Sequence, residues 1–392
     1  MKILYCLTSR FPFGRAYASR ALNICRMLRD AGNEVYVLCD YLSEELVADR
    51  NCDATVFENI RIITTYETSF KERSLKQRFT VSKDAVKKLD KILHANSFDV
   101  VISSSSSDRF AGVWKTVSSY RIPLILEICE WFDSYSWDYG KADPRHWQFV
   151  RCWNKYFPKA DGVLAISRLL EDQFVHKIKN VARIPTVLDI DNSEYRTEKN
   201  HEGIRLLFAG DISTGKDRLV EVIEAINSVK YSKNVSLDIF GPGINDIIKQ
   251  SDGKIAKENI NQHIIVHGFR PQHEINSVCC EADFGLILRP DRRSSNAGFP
   301  TKLGEYLAAG TPVIANDTGD ICCYIKDGYN GFILEDIKPH TISDLLSRIC
   351  EMSNEDLVIM RKNARKTAEQ FFNYKAYQNQ MDSFVKKVVQ GE

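Results

Sequence analysis

The chain has no apolar run approaching the ~18 residues that a membrane-spanning helix requires, so no span is expected. It has no C-x-x-C, although eleven cysteines are scattered along it, with vicinal pairs at Cys279-Cys280 and Cys322-Cys323. An odd count without zinc-like spacing, in an enzyme-sized chain, reads as reduced thiols in a cytosolic protein. It has almost no charge imbalance, +1 over 392 residues, which argues against wholesale binding of nucleic acid. Neither G-x-G-x-x-G nor a Walker pattern is present to account for its glycines. The opening Met1-Lys2-Ile3-Leu4-Tyr5-Cys6-Leu7 is too short and strand-like for a signal peptide, and a cytoplasmic location is the expectation.

What remains is a chain of ordinary composition, 44% hydrophobic and 27% charged, too long for one typical core and suited to two α/β domains of similar size. Its most informative stretch runs from Asn296 to Asn316. Gly298 lets the backbone come close to a neighbour, and Pro300 fixes φ before a helix. Thr301 is the expected N-cap, and Leu303, Tyr306 and Leu307 share one side of the helix. Gly310 supplies a left-handed C-cap, Pro312 stops continuation, and Val313-Ile314-Ala315 is a buried strand. A helix opened by a glycine turn offers N–H donors and the positive dipole end to an anion. Glu305 lies one turn above Thr301 on the same face, where a carboxylate could take hydroxyls. Donors for a phosphate beside a carboxylate for hydroxyls would suit a sugar nucleotide. An ordinary loop–helix–strand corner of an α/β domain fits the same residues.

Gly298-Phe299-Pro300, Glu305 and Ala309-Gly310-Thr311-Pro312-Val313-Ile314 resemble the donor-site signature of the retaining glycosyltransferase family 4, with the GT-B fold. That signature carries two glutamates eight positions apart; the second is Glu305, but the first position holds Ala297. The wording Pro300-Thr301-Lys302-x-x-Glu305-Tyr306-Leu307 is similar to a branch acting in surface-polysaccharide assembly, and Lys302 is expected to take over some polar work there. The resemblance implies two Rossmann-like doubly wound domains facing a cleft. The expected division is an acceptor-binding domain over 1–190, a linker over 191–202, a nucleotide-sugar-binding domain over 203–370 and a C-terminal helix, 371–392, crossing back to the first domain.

In chain order, residues 3–7 and Val35 to Cys39 read as strands flanking an amphipathic helix closed by Gly32, the first half of a doubly wound sheet. The family's glycine pair in the first loop is replaced by Pro12-Phe13-Gly14-Arg15. Arg15 and Arg20 are candidates for a charged acceptor or a donor phosphate, and solvated arginines otherwise. Residues 71–91 hold eight Lys/Arg against Glu72, Asp84 and Asp90. With Val81, Ala85, Leu89, Ile92 and Leu93 on an apolar side, this is either a surface helix with a charged face or a helix facing an anionic membrane. The strand ending at Ile128 is followed by Glu130, where many family members have a histidine. Trp131 opens an aromatic-rich segment reaching Trp153, which reads as core packing or as an acceptor-facing surface for sugars.

The second domain opens with the strand Ile204 to Ala209, ending at Gly210. The order strand, Gly210, loop, Lys216, helix resembles the family's diphosphate-binding turn, with Lys216 neutralising phosphate charge. Asp211 stands where the family often has arginine, and Arg289, Arg292 and Arg293 are the substitutes. Phe269 and Arg270, after the strand Ile264 to Gly268, are the base-site candidates, and His267 is read as structural.

The reading is therefore a retaining transferase moving a sugar from a UDP- or GDP-type donor to a glycan or lipid-linked acceptor. The resemblance implies a front-face mechanism that needs positive charge on the departing phosphate rather than a protein nucleophile. Lys216, Lys302 and Glu130 are the catalytic candidates. Gly210, Phe269, Arg270, Arg292, Arg293, Asn296, Gly298, Phe299, Thr301 and Glu305 are the donor-binding candidates, and Arg15 and Trp131 lie on the acceptor side. No metal or other cofactor is expected. A sugar-nucleotide epimerase of the same architecture, or a non-catalytic sugar-nucleotide-binding scaffold, are the alternatives.

Overall fold

The structure, a computed structural model, describes the chain except residues 15, 49–54, 68–69, 194, 196–200, 213–214, 216, 271 and 392, and the side chains of 47, 48, 272 and 273. It divides into two compact units, Met1–Leu188 with Tyr374–Glu392, and Asp189–Asn373.

The first unit contains β1 (Lys2–Cys6), β2 (Arg10–Phe11), β3 (Glu34–Cys39), β4 (Tyr41–Leu42), β5 (Val56–Phe57), β6 (Ile60–Thr64), β7 (Val100–Ser104), β8 (Leu124–Ile128), β9 (Gly162–Ala165) and β10 (Asn180–Arg183). Eight of these form one sheet in the order β10-β9-β8-β7-β1-β3-β6-β5, parallel except for the β5–β6 hairpin. The strands run as apolar stretches because helices cover both faces of a parallel sheet. The strand order reverses between β1 and β7, and there the Oγ atoms of Thr8 and Ser104 lie 3.3 Å apart at the strand ends. The C-terminal helix Gln378–Gln390 completes this core with Met381, Phe384, Val385 and Val388. It packs so close to β9 that a side chain at Gly162 would come within 2.6 Å of Val388.

The second unit contains β11 (Ile204–Ala209), β12 (Val235–Phe240), β13 (Ile264–Gly268), β14 (Phe284–Ile287), β15 (Val313–Asn316) and β16 (Gly331–Leu334). They form a parallel sheet in the order β13-β12-β11-β14-β15-β16, a doubly wound arrangement with its switch point between β11 and β14. Ligand crevices of open α/β sheets lie outside the strand C-termini at that point. Close packing there rests on missing side chains. The φ of Gly241 is +116°, and a Cβ on it would overlap the carbonyl oxygen of Gly210. A Cβ on Gly285 in β14 would lie 2.3 Å from the ring of Tyr306.

That ring belongs to the helix Thr301–Ala308, whose Leu303, Tyr306 and Leu307 are fully buried. The phenol reaches β11, accepting the N–H of Ala209 at 3.1 Å. The helix ends as its residues dictate. Gly310 takes a φ of +75°, its N–H goes to Leu307 and that of Thr311 goes to Tyr306, closing a Schellman-type cap. Its start differs from expectation. Pro300 occupies the N-cap position without a side-chain cap, and Thr301 is the first helical residue. Proline already supplies the φ required, so no hydroxyl is needed to turn the chain.

Gly285→Ala should therefore overpack the Tyr306 contact and destabilise the protein by about 1–3 kcal/mol. Thermal or urea unfolding reads this directly. A wild-type transition would show that the ring can withdraw from β14 without cost.

Candidate active site

In the second unit the loops after β11, β14 and β15 converge on the switch point, and two asparagines lock the last two together. Asn316, at the end of β15, accepts the N–H of Arg289 at 2.8 Å and donates to its carbonyl at 2.8 Å, reproducing one more step of sheet pairing. Asn296 accepts the N–H of Gly319 at 2.9 Å and donates to Asp291 at 2.7 Å. Its carboxamide thus holds the post-β14 and post-β15 loops in register. Gly319 adopts φ +61° beside it, in the left-handed region that favours glycine.

Two arginines, Arg289 and Arg292, face the loop after β11. Arg289 lies 3.8 Å from Asp217, whose residue also borders Gly210. Arg292 reaches toward Gly215, with Nη1 4.0 Å from where a Cβ would sit. Arg293 opens the short helix Arg293–Ala297 that carries the chain to Asn296. The loop is anchored at its far end by the N–H of Arg218 on the carbonyl of Leu288 at 2.9 Å. Lys216 lies outside the described residues; among the described ones, Arg289 and Arg292 are the cationic side chains placed against this loop.

In the first turn of the helix Thr301–Ala308, the ammonium of Lys302 lies 2.6 Å from the carboxylate of Glu305, with the two side chains 21% and 9% exposed. Burial opposes the charge on Lys302, but the Glu305 carboxylate, with Cys279 beyond it, outweighs burial and leaves the lysine pKa raised. Lys302 and Glu305 therefore work as a pair, and neither enters the site as an isolated charge. Ala297, at the position of the family's other glutamate, is fully buried.

Several expected donor residues serve the frame instead. The N–H of Gly298 goes to the carbonyl of Ser294, at 3.2 Å, and φ is −77°, so its glycine character supplies neither a donor nor a left-handed turn. The ring of Phe299 is buried against Tyr324 and Phe372 at 5.6 and 6.0 Å. The N–H of Gly210 goes to Phe240 and Gly241 covers its carbonyl, so this glycine serves strand-end packing. At the end of β13, Phe269 is 83% exposed, and Arg270 pairs with Glu274 at 3.5 Å. His267 is structural: it stacks on Phe240 at 4.2 Å and meets Asp238 at 2.6 Å, and Asp238 in turn holds Arg205.

The first unit carries a buried ionic cluster that the sequence did not disclose. Glu127, in β8, accepts from Arg20 at 2.7 Å, from Tyr17 at 2.6 Å and from Tyr5. Burial first, and then the Glu127 charge, push the phenols of Tyr5 and Tyr17 well up, so both keep their protons for the carboxylate. Arg20 also donates to the carbonyls of Ile184 and Pro185 at 3.0 and 2.8 Å. It is 1% exposed and is thus a structural cation, not the surface contact expected for a charged ligand. Arg15 lies outside the described residues. Glu130 is half-buried on the turn after β8. Trp131 stacks on Trp153 at 4.5 Å within an aromatic cluster that includes Phe149 and Phe157, so this ring is chiefly packing. Tyr135, Tyr139 and Trp147 are the exposed members of the segment.

Lys302→Met should leave the Glu305 carboxylate without its lysine, costing about 1–3 kcal/mol. Because the folded-state pKa of Lys302 is raised, the pair contributes fully below the ordinary lysine value of 10.5 and is lost only as pH climbs through the raised value. The deficit against wild type should stay constant between about pH 7 and 9 in urea titrations. A deficit that closes within that window would mean the pair is not formed.

Comparison with known proteins agrees with this geometry. The model described as Glycosyltransferase Family 4 matches residues 18–192, and that described as Glycosyl transferases group 1 matches 189–367. The amylovoran biosynthesis glycosyltransferase AmsK of Erwinia amylovora is 27% identical over 229 residues, 56% of this chain and 54% of that protein. An uncharacterized 41.2 kDa protein in the cps region of Klebsiella pneumoniae is 32% identical over 139 residues, 35% of this chain and 34% of that one. The chain thus spans between a third and just over half of the length of these curated relatives. Among solved structures, sucrose-phosphate synthase from Thermosynechococcus elongatus superposes with a TM-score of 0.74 at 15% identity, covering 100% of both chains. Anabaena Alr3699/HepE in complex with UDP-glucose gives 0.70 at 16% identity, covering 99% of this chain and 100% of the other. With the two models meeting at the boundary between its two doubly wound units, this chain belongs to glycosyltransferase family 4, with the GT-B fold.

Proposed function

We propose that the protein is a retaining glycosyltransferase that moves a sugar from a nucleotide-sugar donor to a glycan or lipid-linked acceptor in cell-surface polysaccharide synthesis. The observation that carries this reading is the convergence at the β11–β14 switch point. There Arg292 reaches the loop after Gly210, and Tyr306 holds the helix bearing Lys302 and Glu305 against the same two strands. A diphosphate in that crevice would be met by the arginines, and Glu305 would accept hydrogen bonds from the ribose hydroxyls. The exposed ring of Phe269, at the end of β13, offers a stacking face for the base. The names of the relatives support the class of product, through amylovoran and colanic acid biosynthesis. The UDP-glucose complex of HepE supports a UDP-type donor.

In this scheme the bond from the anomeric carbon to the departing phosphate breaks as a bond to the acceptor oxygen forms on the same face. The acceptor proton passes to the leaving diphosphate. The protein's part is positive charge placed where the phosphate gains negative charge, which costs no reorganisation at the moment of reaction. Side-chain cations supply that charge, so the scheme invokes no metal. An acceptor carried on a lipid would bring the first unit to a membrane face.

Incubating the protein with UDP-, GDP- and ADP-sugars should release a nucleoside diphosphate from one of them, faster when acceptor is present. Glu305→Gln keeps size but removes a charge-assisted bond of about 1.5–3 kcal/mol. Donor affinity should then fall by roughly 10–100-fold. Ala297→Glu restores the family residue in a fully buried position, so it should destabilise the fold without raising turnover. Wild-type donor affinity in the glutamine variant, or a faster glutamate variant, would overturn the assignment.

A further inference from the structure

The basic segment of the first unit has an apolar tip. The helix Leu75–Ala95 buries Ala85, Leu89, Ile92 and Leu93, all in its second half. No residue from 75 to 84 is buried. At this end Phe79 is 88% exposed and Leu75 71% exposed. They are four apart and so stack on one face, about 40° apart around the axis. The exposed Lys76, Lys83 and Lys87 fall within about 80° of Phe79, on the side away from the buried stripe. The end is not frayed. Ser74 and Gln77 form a capping box, with Ser74 Oγ accepting the N–H of Gln77 at 3.2 Å and Gln77 Oε1 accepting that of Ser74 at 2.7 Å. The two acids on this helix are engaged by phenols, Asp84 by Tyr66 at 2.6 Å and Asp90 by Tyr120 at 3.0 Å.

We infer that this end of the helix docks on an anionic lipid bilayer. Leu75 and Phe79 enter the boundary between headgroups and acyl chains, and Lys76, Lys83 and Lys87 reach the lipid phosphates. Two large apolar side chains this exposed gain most where water is excluded. Lysines beside them can keep their charge at the headgroups while their stems lie along the apolar layer. Charge decides between occupants. A second copy of this chain would bring the same basic band against itself in a two-fold contact, which like charges oppose, whereas an anionic surface attracts it. The inference stands on the exposure and charge of this helix and does not depend on the donor-site reading.

The test is co-sedimentation of the full chain with vesicles of phosphatidylcholine alone or mixed with phosphatidylglycerol. The wild type should bind the anionic vesicles and leave the neutral ones. Lys76→Gln, Lys83→Gln and Lys87→Gln should weaken binding by about fivefold each, and added salt should abolish the difference. Leu75→Ser with Phe79→Ser should weaken it by about tenfold or more with the melting temperature unchanged, since both side chains are exposed. Phe79→Trp should gain fluorescence quenching by brominated lipid relative to wild type. Equal binding to both vesicle types, no binding at low salt, or full binding by the double-serine variant would overturn the inference. So would a dimer that the double-serine change dissolves while no vesicle is bound.

Discussion

Tyr306 lies against the backbone of β14 in a space that exists only because residue 285 is glycine, and its hydroxyl takes the N–H of Ala209 at the end of β11. One side chain thus joins the helix to both strands of the switch point. The helix and the two loops that carry the charged groups of the candidate donor site are positioned from there. The helix carries Lys302 and Glu305, and its C-cap turns the chain into β15. From β15, Asn316 and Gly319 reach back to the loop bearing Arg289 and Asn296. A ring free to tilt would carry these groups with it, and errors of an ångström matter at sites that work by placement of charge.

The first unit solves a related problem with an ion pair. Arg20 and Glu127 are both buried and tie the helix Ala16–Asp30 to β8 and to the carbonyls of 184 and 185. Burying such a pair contributes little net stability, but removing one partner leaves a stranded charge at a cost of about 3–5 kcal/mol. The cluster tolerates this burial because Glu127 is also bonded by Tyr5 and Tyr17, so the carboxylate keeps three donors in place of water.

The strands were legible in the sequence because residues buried on both faces of a parallel sheet form apolar runs bounded by glycine and polar loops. The helix Thr301–Ala308 was legible from its spacing and from Gly310. What the sequence concealed were partners distant in the chain. Tyr306 reads as one more apolar position until Gly285, 21 positions earlier, is seen beneath it. Arg20 reads as a helix-surface arginine until Glu127 is seen to neutralise it. Phe299 and Trp131 sit beside loops where ligands are expected, yet their rings have aromatic partners at 5.6 and 4.5 Å that no local pattern announces. Asn296 reads as a polar ligand contact, but its carboxamide holds the loop, a role that only the position of Gly319 reveals.

The departures from the family signature become coherent once charges are paired. On the proposed reading, a diphosphate must be received beside Asp211, Asp217 and Glu305, and each carboxylate there opposes it. A second glutamate at 297 would add a further negative charge in a fully buried position; alanine avoids it. Glu305 is then balanced within hydrogen-bond distance by Lys302, and Asp217 faces Arg289. The helix N-terminus and Arg292 can therefore act on the phosphates against a nearly neutral background rather than against uncompensated carboxylates. Glu305 keeps acceptor capacity beyond its bond to one lysine, because a carboxylate has about four lone-pair sites. The pair thus lowers the local negative field without giving up the hydrogen bonds that would hold a sugar nucleotide.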